Sequence, residues 1–426
     1  MTAQQTTANP TAQQPSPQPA AQPSRWRAFL NALLLPVLAI VTALVLSSVF
    51  IIISDTELLA LWRDFLAAPG VALAASWEKL REAYRALFTG GIGDPKLIWE
   101  GLRTWIETGD STLLINSLEA LDRTLVYSTP YIFAGLAVAL GFRCGLFNIG
   151  AEGQLFVGAL ASAYVGYSIT GLPMIIHLPL ALAAGAAAGG AWAAIAGVLK
   201  AYTGAHEVVT TIMLNYVAFR LSDFLLTGPM KRSGFNPVSP PVEESAWLPK
   251  LAPDPLRFHA GFFVALLAAY FVYWFLWKTT WGFEIRTVGA NPDAARYAGM
   301  SIAKNYILAM ALSGALAGLA GTNEVLGVNH FMAQAFSSGY GFDSIALALL
   351  GKSHPGGVVL ASLLWGFLRA GATRMQSAAD IPIDIVQIVQ GMVIIFVAAP
   401  ALVRMIWRIK ALEEEGETIF TRGWGS

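Results

Sequence analysis

Two stretches of this sequence place polar side chains among glycines within otherwise apolar surroundings. Residues 145–154 read GLFNIGAEGQ, and residues 339–343 read GYGFD. Amide and carboxylate groups at such positions can hydrogen-bond a polar solute, or they can complement the start of a helix. Irregular backbone at membrane depth is tolerated only where it faces protein or a water-filled cavity. The two stretches therefore predict either a solute site between discontinuous helices or simple interfacial turns.

Six polar residues are candidates to line such a path: Asn148, Glu152, Gln154, Thr211, Asn215 and Asn323. Thr211 and Asn215 are four residues apart and so share one face of a helix, where a hydrogen bond between helices is an equally good explanation. Glu152 can simply complement a helix dipole. The sequence leaves these alternatives open.

The remaining composition argues against most reaction chemistry. The single cysteine excludes an internal disulfide, and five scattered histidines without CxxC or HExxH spacing make a zinc site improbable. No converging catalytic set and no GxxxxGK[ST] phosphate loop is present. With 27 basic and 27 acidic residues, no net charge attracts nucleic acid. We therefore expect a non-enzymatic chain that binds no metal, cofactor or nucleic acid.

Membrane helices are the elements that must position these residues. Hydrophobic residues make up 55% of the 426 residues and charged residues only 13%, whereas soluble proteins contain about 25% charged residues. Arg220 and Asp223 interrupt one of the apolar stretches. The apolar stretches predict an all-α, polytopic membrane protein with about ten crossings, at residues 28–54, 124–142, 155–176, 178–199, 208–230, 260–277, 305–323, 344–350, 358–368 and 385–403.

The sequence divides into five segments. Residues 1–24 lack charges and aromatics and predict a disordered cytoplasmic tail. Residues 25–54 predict a first membrane helix, because the apolar run is too long for a cleaved signal. Residues 55–112 mix charges with tryptophans and predict an extracytoplasmic or interfacial segment. Residues 113–410 form the core, with a cytoplasmic loop at 278–304, and residues 411–426 form a second tail. The distribution of Lys and Arg places both termini in the cytoplasm.

The cytoplasmic loop contains the signals of a short helix. Asn291 precedes Pro292 and is a good N-cap, Asp293 suits the first turn, and Gly299 can end the helix. Such a helix of about two turns either inserts into a groove of another protein or rests on its own bundle. Its small exposed knob would consist of Ala294, Ala295, Tyr297 and Ala298.

Four motifs together resemble permease subunits of ATP-binding-cassette importers. They are NIGAEGQ at 148–154, EVVTTIMLNY at 207–216, TVGANPDAARYAGMSIAKN at 287–305 and GFDSIALALLGKSHPGG at 341–357. The chain is similar over residues 113–408 to the branched-chain amino acid and simple-sugar permease superfamily, and within it to the nucleoside (BmpA-associated) branch. The resemblance implies a bacterial inner-membrane protein, a cytoplasmic ATPase that holds ATP and magnesium, a second related permease, identical or distinct, and an extracytoplasmic binding protein.

The resemblance also implies roles for particular residues. The short loop helix would be the coupling helix seated in the ATPase, and the implied coupling residues are Glu284, Gly289, Asn291, Asp293, Ala294, Ala295, Arg296 and Gly299. The implied function is import of a nucleoside-like solute by alternating access, with a ribose-type sugar or a branched-chain amino acid as alternatives. A secondary transporter coupled to ions is the alternative from another class, but it needs buried carboxylates or histidines, which are scarce in the predicted spans.

Overall fold

The computed structural model describes residues 25–409, with side chains except at 25–33, 383 and 398. The predicted tails at 1–24 and 411–426 lie outside the described residues. Within 25–409 the chain forms helices and loops, and its β contacts are isolated bridges such as Val238 with Ala333. The predicted all-α class is therefore confirmed for this part of the chain.

The helices follow one another along the chain with short connections, except for the longer loop between α8 and α9. They are α1 (Arg25–Ser54), α2 (Thr56–Arg63), α3 (Pro69–Ile92), α4 (Pro95–Thr108), α5 (Thr112–Arg143), α6 (Ala151–Ser168), α7 (Met174–Thr203), α8 (Glu207–Thr227), α9 (Gly261–Lys278), α10 (Thr280–Ala290), α11 (Pro292–Tyr297), α12 (Ile302–Asn323), α13 (Tyr340–Leu350), α14 (Pro355–Ala379), α15 (Ile383–Ala398) and α16 (Pro400–Ile406). A π-helical turn, Glu324–Asn329, continues α12.

Seven of the described helices are long and apolar enough to cross a membrane, namely α1, α5, α7, α8, α9, α12 with its π turn, and α14. Helices α15 and α16 meet at 88° and would together form an eighth crossing. The chain is thus a multi-span membrane protein, and length and composition support fewer crossings than the ten that the sequence predicts.

Two predicted crossings have other bounds than expected. The stretch 155–176 is not one helix, because α6 ends at Ser168 and the chain turns at Gly171, where φ is +78°. The stretch 344–350 belongs to α13, whose 11 residues extend about 16 Å at 1.5 Å per residue. That length covers roughly half of a hydrocarbon core of about 30 Å. Helix α13 alone therefore cannot span a membrane.

Glycines allow α6, α7 and α12 to pack with their backbones in contact. A Cβ atom at Gly158 of α6 would lie 2.3 Å from the Cα of Gly318 in α12, and a Cβ atom at Gly318 would lie 2.4 Å from the carbonyl oxygen of Gly185 in α7. Helices in lipid gain no hydrophobic energy from association and depend on such close packing. Close backbone packing therefore holds α6, α7 and α12 together.

The segment 55–112, which is predicted to lie outside the hydrocarbon, forms helices α2, α3 and α4. Helix α3 packs closely on α14, since a Cβ atom at Gly90 would lie 2.5 Å from the Cβ of Arg374. Helix α4 leaves Trp99, Trp105 and Ile106 exposed. Exposed tryptophans on an amphipathic helix are typical of the membrane interface.

We expect Gly318→Val to destabilise the protein, because the added methyl groups have no space between α12 and α7. Overpacking of this kind costs about 1–3 kcal/mol. The measurement is the thermal unfolding of the detergent-purified variant. Gly391→Val in α15 is the matched control, since nothing lies within 4 Å of a Cβ atom at Gly391. Equal melting temperatures for the two variants would contradict this account of the packing.

Candidate functional site

The two glycine-interrupted stretches meet inside the bundle. After α5 ends at Arg143, residues 144–150 form a first break without helix before α6 begins, and residues 330–339 form a second break before α13 begins. The Glu152 carboxylate in the first turn of α6 accepts a hydrogen bond from the N–H of Gly341 in α13, at 2.5 Å. The first N–H groups of a helix lack partners within the helix. Glu152, which follows the first break, is therefore the acceptor for an N–H group at the start of α13, which follows the second break.

Asn148 holds the first break against α12. Its Nδ2 donates to the hydroxyl of Ser313 at 2.8 Å, and its Oδ1 accepts from the N–H of Gly150 at 2.9 Å. Gln154 exchanges two further hydrogen bonds with the Asn148 amide, each 2.9 Å long. Ser313 donates in turn to the carbonyl oxygen of Ala137 in α5 at 2.6 Å. These buried amides satisfy one another and fix the irregular backbone.

Asn215 of α8 holds the same break from the opposite side. Its Oδ1 accepts from the N–H of Gly153 at 2.8 Å, and its Nδ2 donates to the carbonyl oxygen of Ile149 at 3.0 Å. Thr211, one turn earlier, donates to the Glu207 carbonyl oxygen of its own helix at 2.8 Å. In this conformation the candidate side chains on α8 and in the first break therefore bind protein groups, and their role towards a solute stays a prediction.

Asn323 differs from the other candidates because its amide has no hydrogen-bond partner among the described residues, although it is fully buried. It lies beside Gly261, where a Cβ atom would be 2.1 Å from the Asn323 Oδ1. A buried polar group without a partner costs about 1–3 kcal/mol. The Asn323 amide is thus available to a water molecule, a solute or a rearranged neighbour.

His259 lies next to Asn323, between Gly261 and Gly327. Its Nδ1 accepts a hydrogen bond from the N–H of Gly261 at 3.1 Å, and its Nε2 has no partner among the described residues. Burial, and secondarily the charge of His330, lowers the pKa of His259 to about 4. The His259 ring is therefore neutral in the folded protein at neutral pH.

A charged cluster beside the second break was missed by the sequence analysis. The Arg369 guanidinium carbon of α14 lies 5.7, 5.8 and 5.1 Å from the ring centroids of Tyr127, Tyr131 and Tyr340. Tyr131 accepts a hydrogen bond from Arg369 and donates one to the Asp343 carboxylate at 2.8 Å. The available signal was an arginine directly after the apolar stretch 358–368, since a charge within a membrane helix is costly unless it serves structure or function.

Glu324 brings a second buried carboxylate to this cluster. It interacts electrostatically with Arg369 and faces the phenol of Tyr340. The indole N–H of Trp365 donates to Asp343 at 3.2 Å. Cationic, acidic and phenolic groups therefore converge where α13 begins. Across residues 25–409, however, no group of three His, Cys, Asp or Glu side chains could hold a metal ion.

The short loop helix forms with the predicted cap. The Oδ1 of Asn291 accepts from the N–H groups of Asp293 and Ala294, each at 3.0 Å. Tyr297 protrudes at the end of α11 and is 97% exposed. The prediction that Ala295 belongs to the exposed knob is wrong, because α11 turns this side towards its own chain and buries Ala295 completely.

Gly289, in the loop predicted to be cytoplasmic, contacts the backbone at the start of the first break. A Cβ atom at Gly289 would lie 2.3 Å from the carbonyl oxygen of Arg143, and one at Gly145 would lie 3.3 Å from the Cα of Gly289. Glu284 is also held, because it accepts a hydrogen bond from the Asn305 amide at 3.1 Å. A displacement of α10 must therefore reach the irregular backbone that carries Asn148.

The remaining residues of the predicted coupling set lie at the surface. Asp293 and Arg296 form an exposed pair with 3.8 Å between the carboxylate and the guanidinium. Gly299 has φ +80° and nothing within 4 Å of a Cβ atom, as expected for a helix-ending glycine. Ala294 and Ala298 are exposed as predicted.

Comparison with known proteins identifies the family of the chain. The family described as "Branched-chain amino acid transport system / permease component" matches residues 120–398. The chain belongs to this permease family. The guanosine ABC transporter permease protein NupP of Bacillus subtilis (strain 168) is 41% identical over 346 residues, which cover 80% of this chain and 92% of the relative. No solved structure matches the chain.

Two further relatives are named for a sugar and for nucleosides. The glucose ABC transporter permease protein TsgB13 of Haloferax volcanii is 40% identical, over 78% of this chain and 83% of the relative. The nucleoside ABC transporter permease protein NupB of Lactococcus lactis is 33% identical, over 71% of this chain and 86% of the relative. The predicted family is thus confirmed, and the chain is a transport component of the ATP-binding-cassette class rather than an enzyme.

We expect Glu152→Ala to lower the thermal stability of the purified protein. The Gly341 N–H would lose its buried acceptor, which costs about 1–3 kcal/mol. Glu152→Gln keeps a carbonyl oxygen in the same place and should lose less. A melting temperature for Glu152→Ala equal to that of Glu152→Gln would show that the contact with α13 contributes nothing.

Acidification should destabilise the protein through His259. The unfolded chain takes up a proton at the ordinary histidine pKa of about 6.5, whereas folded His259 does so only near pH 4. The free energy of unfolding therefore falls as the pH drops from about 6.5 towards 4. Melting curves across this interval test the effect, and the decrease should be smaller in His259→Gln. His206→Gln, at an exposed position, should retain the wild-type decrease.

Proposed function

We propose that this permease is half of the membrane channel of an ATP-driven importer for nucleosides. Membership of the permease family carries the proposal, and the relatives named as guanosine and nucleoside permeases support the solute class. Its partners would be a cytoplasmic ATPase with bound ATP and magnesium, a second related permease and an extracytoplasmic binding protein. The membrane would be the inner membrane of a bacterium.

The proposed topology has ten crossings with both termini in the cytoplasm. The additional crossings beyond the seven long helices would be α6, α15, and α13 together with the irregular residues 330–339. Such a span, half extended and half helical, gives a helix N-terminus near the midplane, as in other transporters. The distribution of Lys and Arg supports this orientation.

Coupling would run from α11 to the two breaks. The ATPase would hold Tyr297 and the exposed residues of α11, and its closure would move α10. Gly289 contacts the backbone of Arg143 at the start of the first break, and Glu152 joins that break to α13. ATP and the loaded binding protein would each favour one of two arrangements of these elements through different contacts in each.

A sugar is the second candidate solute, because the relative named as a glucose permease is 40% identical to this chain. The deciding experiment measures uptake of labelled guanosine by vesicles that contain the complete complex, with excess unlabelled glucose or leucine as competitors. We expect uptake that requires ATP, persists when ionophores remove the ion gradients, and is inhibited by unlabelled nucleoside alone. Uptake that stops with the ion gradient would instead indicate a secondary transporter.

Tyr297→Ala should weaken the attachment of the ATPase. Aromatic side chains at the centre of an interface contribute about 2 kcal/mol or more, so we expect roughly thirtyfold weaker association or more. Copurification of the ATPase and nucleoside uptake measure the loss. Phe235→Ala is the matched control, because Phe235 is also 97% exposed but lies in the loop after α8, on the opposite side in the proposed topology. Unchanged copurification of the Tyr297 variant would contradict the role of α11.

A further inference from the structure

Helix α8 carries exposed charges within a candidate membrane span. The side chains of Arg220 and Asp223 are 85% and 44% exposed, and their charged groups lie 3.4 Å apart. Along a helix with 1.5 Å rise per residue, Arg220 lies about 20 Å from Glu207 at one end and about 10 Å from Thr227 at the other. Charged side chains at such depth are costly in lipid and normally face protein or water.

An irregular segment lies beside these charges. The Gln334 amide donates to the Asp223 carboxylate at 3.0 Å, and Ala335, with φ +48°, is exposed. Non-helical backbone cannot face lipid, since its N–H and C=O groups would lack partners. Phe336 of this segment packs on Phe156 of α6 with ring centroids 4.9 Å apart, which fixes the segment against the bundle.

Tyr216 extends the same surface along α8. It is 61% exposed and lies one turn before Arg220, so the two side chains share a face. An arginine alone could reach the membrane interface with its long side chain. The shorter Asp223 and the backbone of residues 331–339 cannot do so. Contact with lipid is therefore compatible with the exposure of Arg220, but not with the exposure of Asp223 or of the irregular backbone at Ala335.

We propose that this α8 polar surface, formed by Tyr216, Arg220, Asp223 and Gln334, is a wall of the water-filled path and contacts the nucleoside during transport. The inference rests on the proposed function and locates its solute site. A nucleoside combines an aromatic base with sugar hydroxyls. The Tyr216 ring stacks on the base, Asp223 accepts hydrogen bonds from the hydroxyls, and Arg220 donates to base carbonyl oxygens.

This surface differs from the one that the sequence favoured. The amides of Asn148 and Asn215 are buried and engaged by backbone groups, whereas Arg220 and Tyr216 point away from the bundle. The path therefore runs along the outer side of α8, between this chain and the second permease. The buried amides of Asn148 and Asn215 support α8 from the side of the bundle.

Cysteine labelling in the complete transporter tests the inference. The chain has one cysteine, Cys144, which is buried, so the wild-type sequence serves as the background. We expect Arg220→Cys to react with a membrane-impermeant methanethiosulfonate reagent, and guanosine supplied with the binding protein and ATP to slow the reaction. Leu267→Cys is the matched control, because Leu267 is 65% exposed on the apolar helix α9 and should remain unlabelled.

Uptake provides the second measurement. Loss of a charge-assisted hydrogen bond predicts about tenfold slower guanosine uptake or more in Arg220→Ala, with wild-type copurification of the ATPase. Arg220→Lys retains a cationic donor and should recover part of the rate. Gln334→Ala should also slow uptake, and it leaves α8 itself unchanged should Arg220→Ala fail to fold.

The possible outcomes separate the two proposals. An unlabelled Arg220→Cys, or labelling that guanosine does not slow together with normal uptake in Arg220→Ala, would overturn the inference. If the wild-type complex imports glucose and not guanosine, the proposed function fails. Labelling of Arg220→Cys that glucose then slows would still support the α8 polar surface as the wall of the path.

Discussion

The hydrogen bond from the Gly341 N–H to the Glu152 carboxylate joins the two places where the chain leaves the helix inside the bundle. Backbone without helical partners must find them elsewhere when no water is near. The described structure meets this requirement reciprocally: Asn148 and Asn215 satisfy the first break, and Glu152 supplies an acceptor to the helix that follows the second. Without these contacts the first irregular segment and the start of α13 would contain buried polar groups without partners.

The rest of the bundle is arranged to keep these breaks in place. Gly158, Gly185 and Gly318 bring α6, α7 and α12 into backbone contact, so the helix that carries Glu152 has a rigid support. On the other side, Gly289 contacts the backbone where the first break begins. The loop at 278–304 is therefore in direct contact with the polar interior, and bulky side chains at the glycine contacts would disrupt that packing.

Much of this organisation could be predicted from local sequence. Long charge-free runs indicate membrane helices because a spanning helix must be apolar along its whole length. Glycines with interspersed amides indicated both breaks, and Asn291 before Pro292 indicated the start of α11 within one residue. The four sequence motifs, and their order along the chain, indicated the permease family. Span bounds were less predictable, because α6 ends at Ser168 through a turn that apolar composition does not reveal.

The tertiary structure alone decided which polar groups meet and which remain exposed. Glu152 and Gly341 are 189 positions apart in the chain, and the Arg369 cluster draws its tyrosines from α5 and α13. Ala295 is buried and Tyr297 exposed although both lie on one short helix. Hydropathy and helix periodicity describe each segment by itself. The partner of a buried carboxylate or arginine depends on how distant helices pack, so these contacts could not be derived from the sequence.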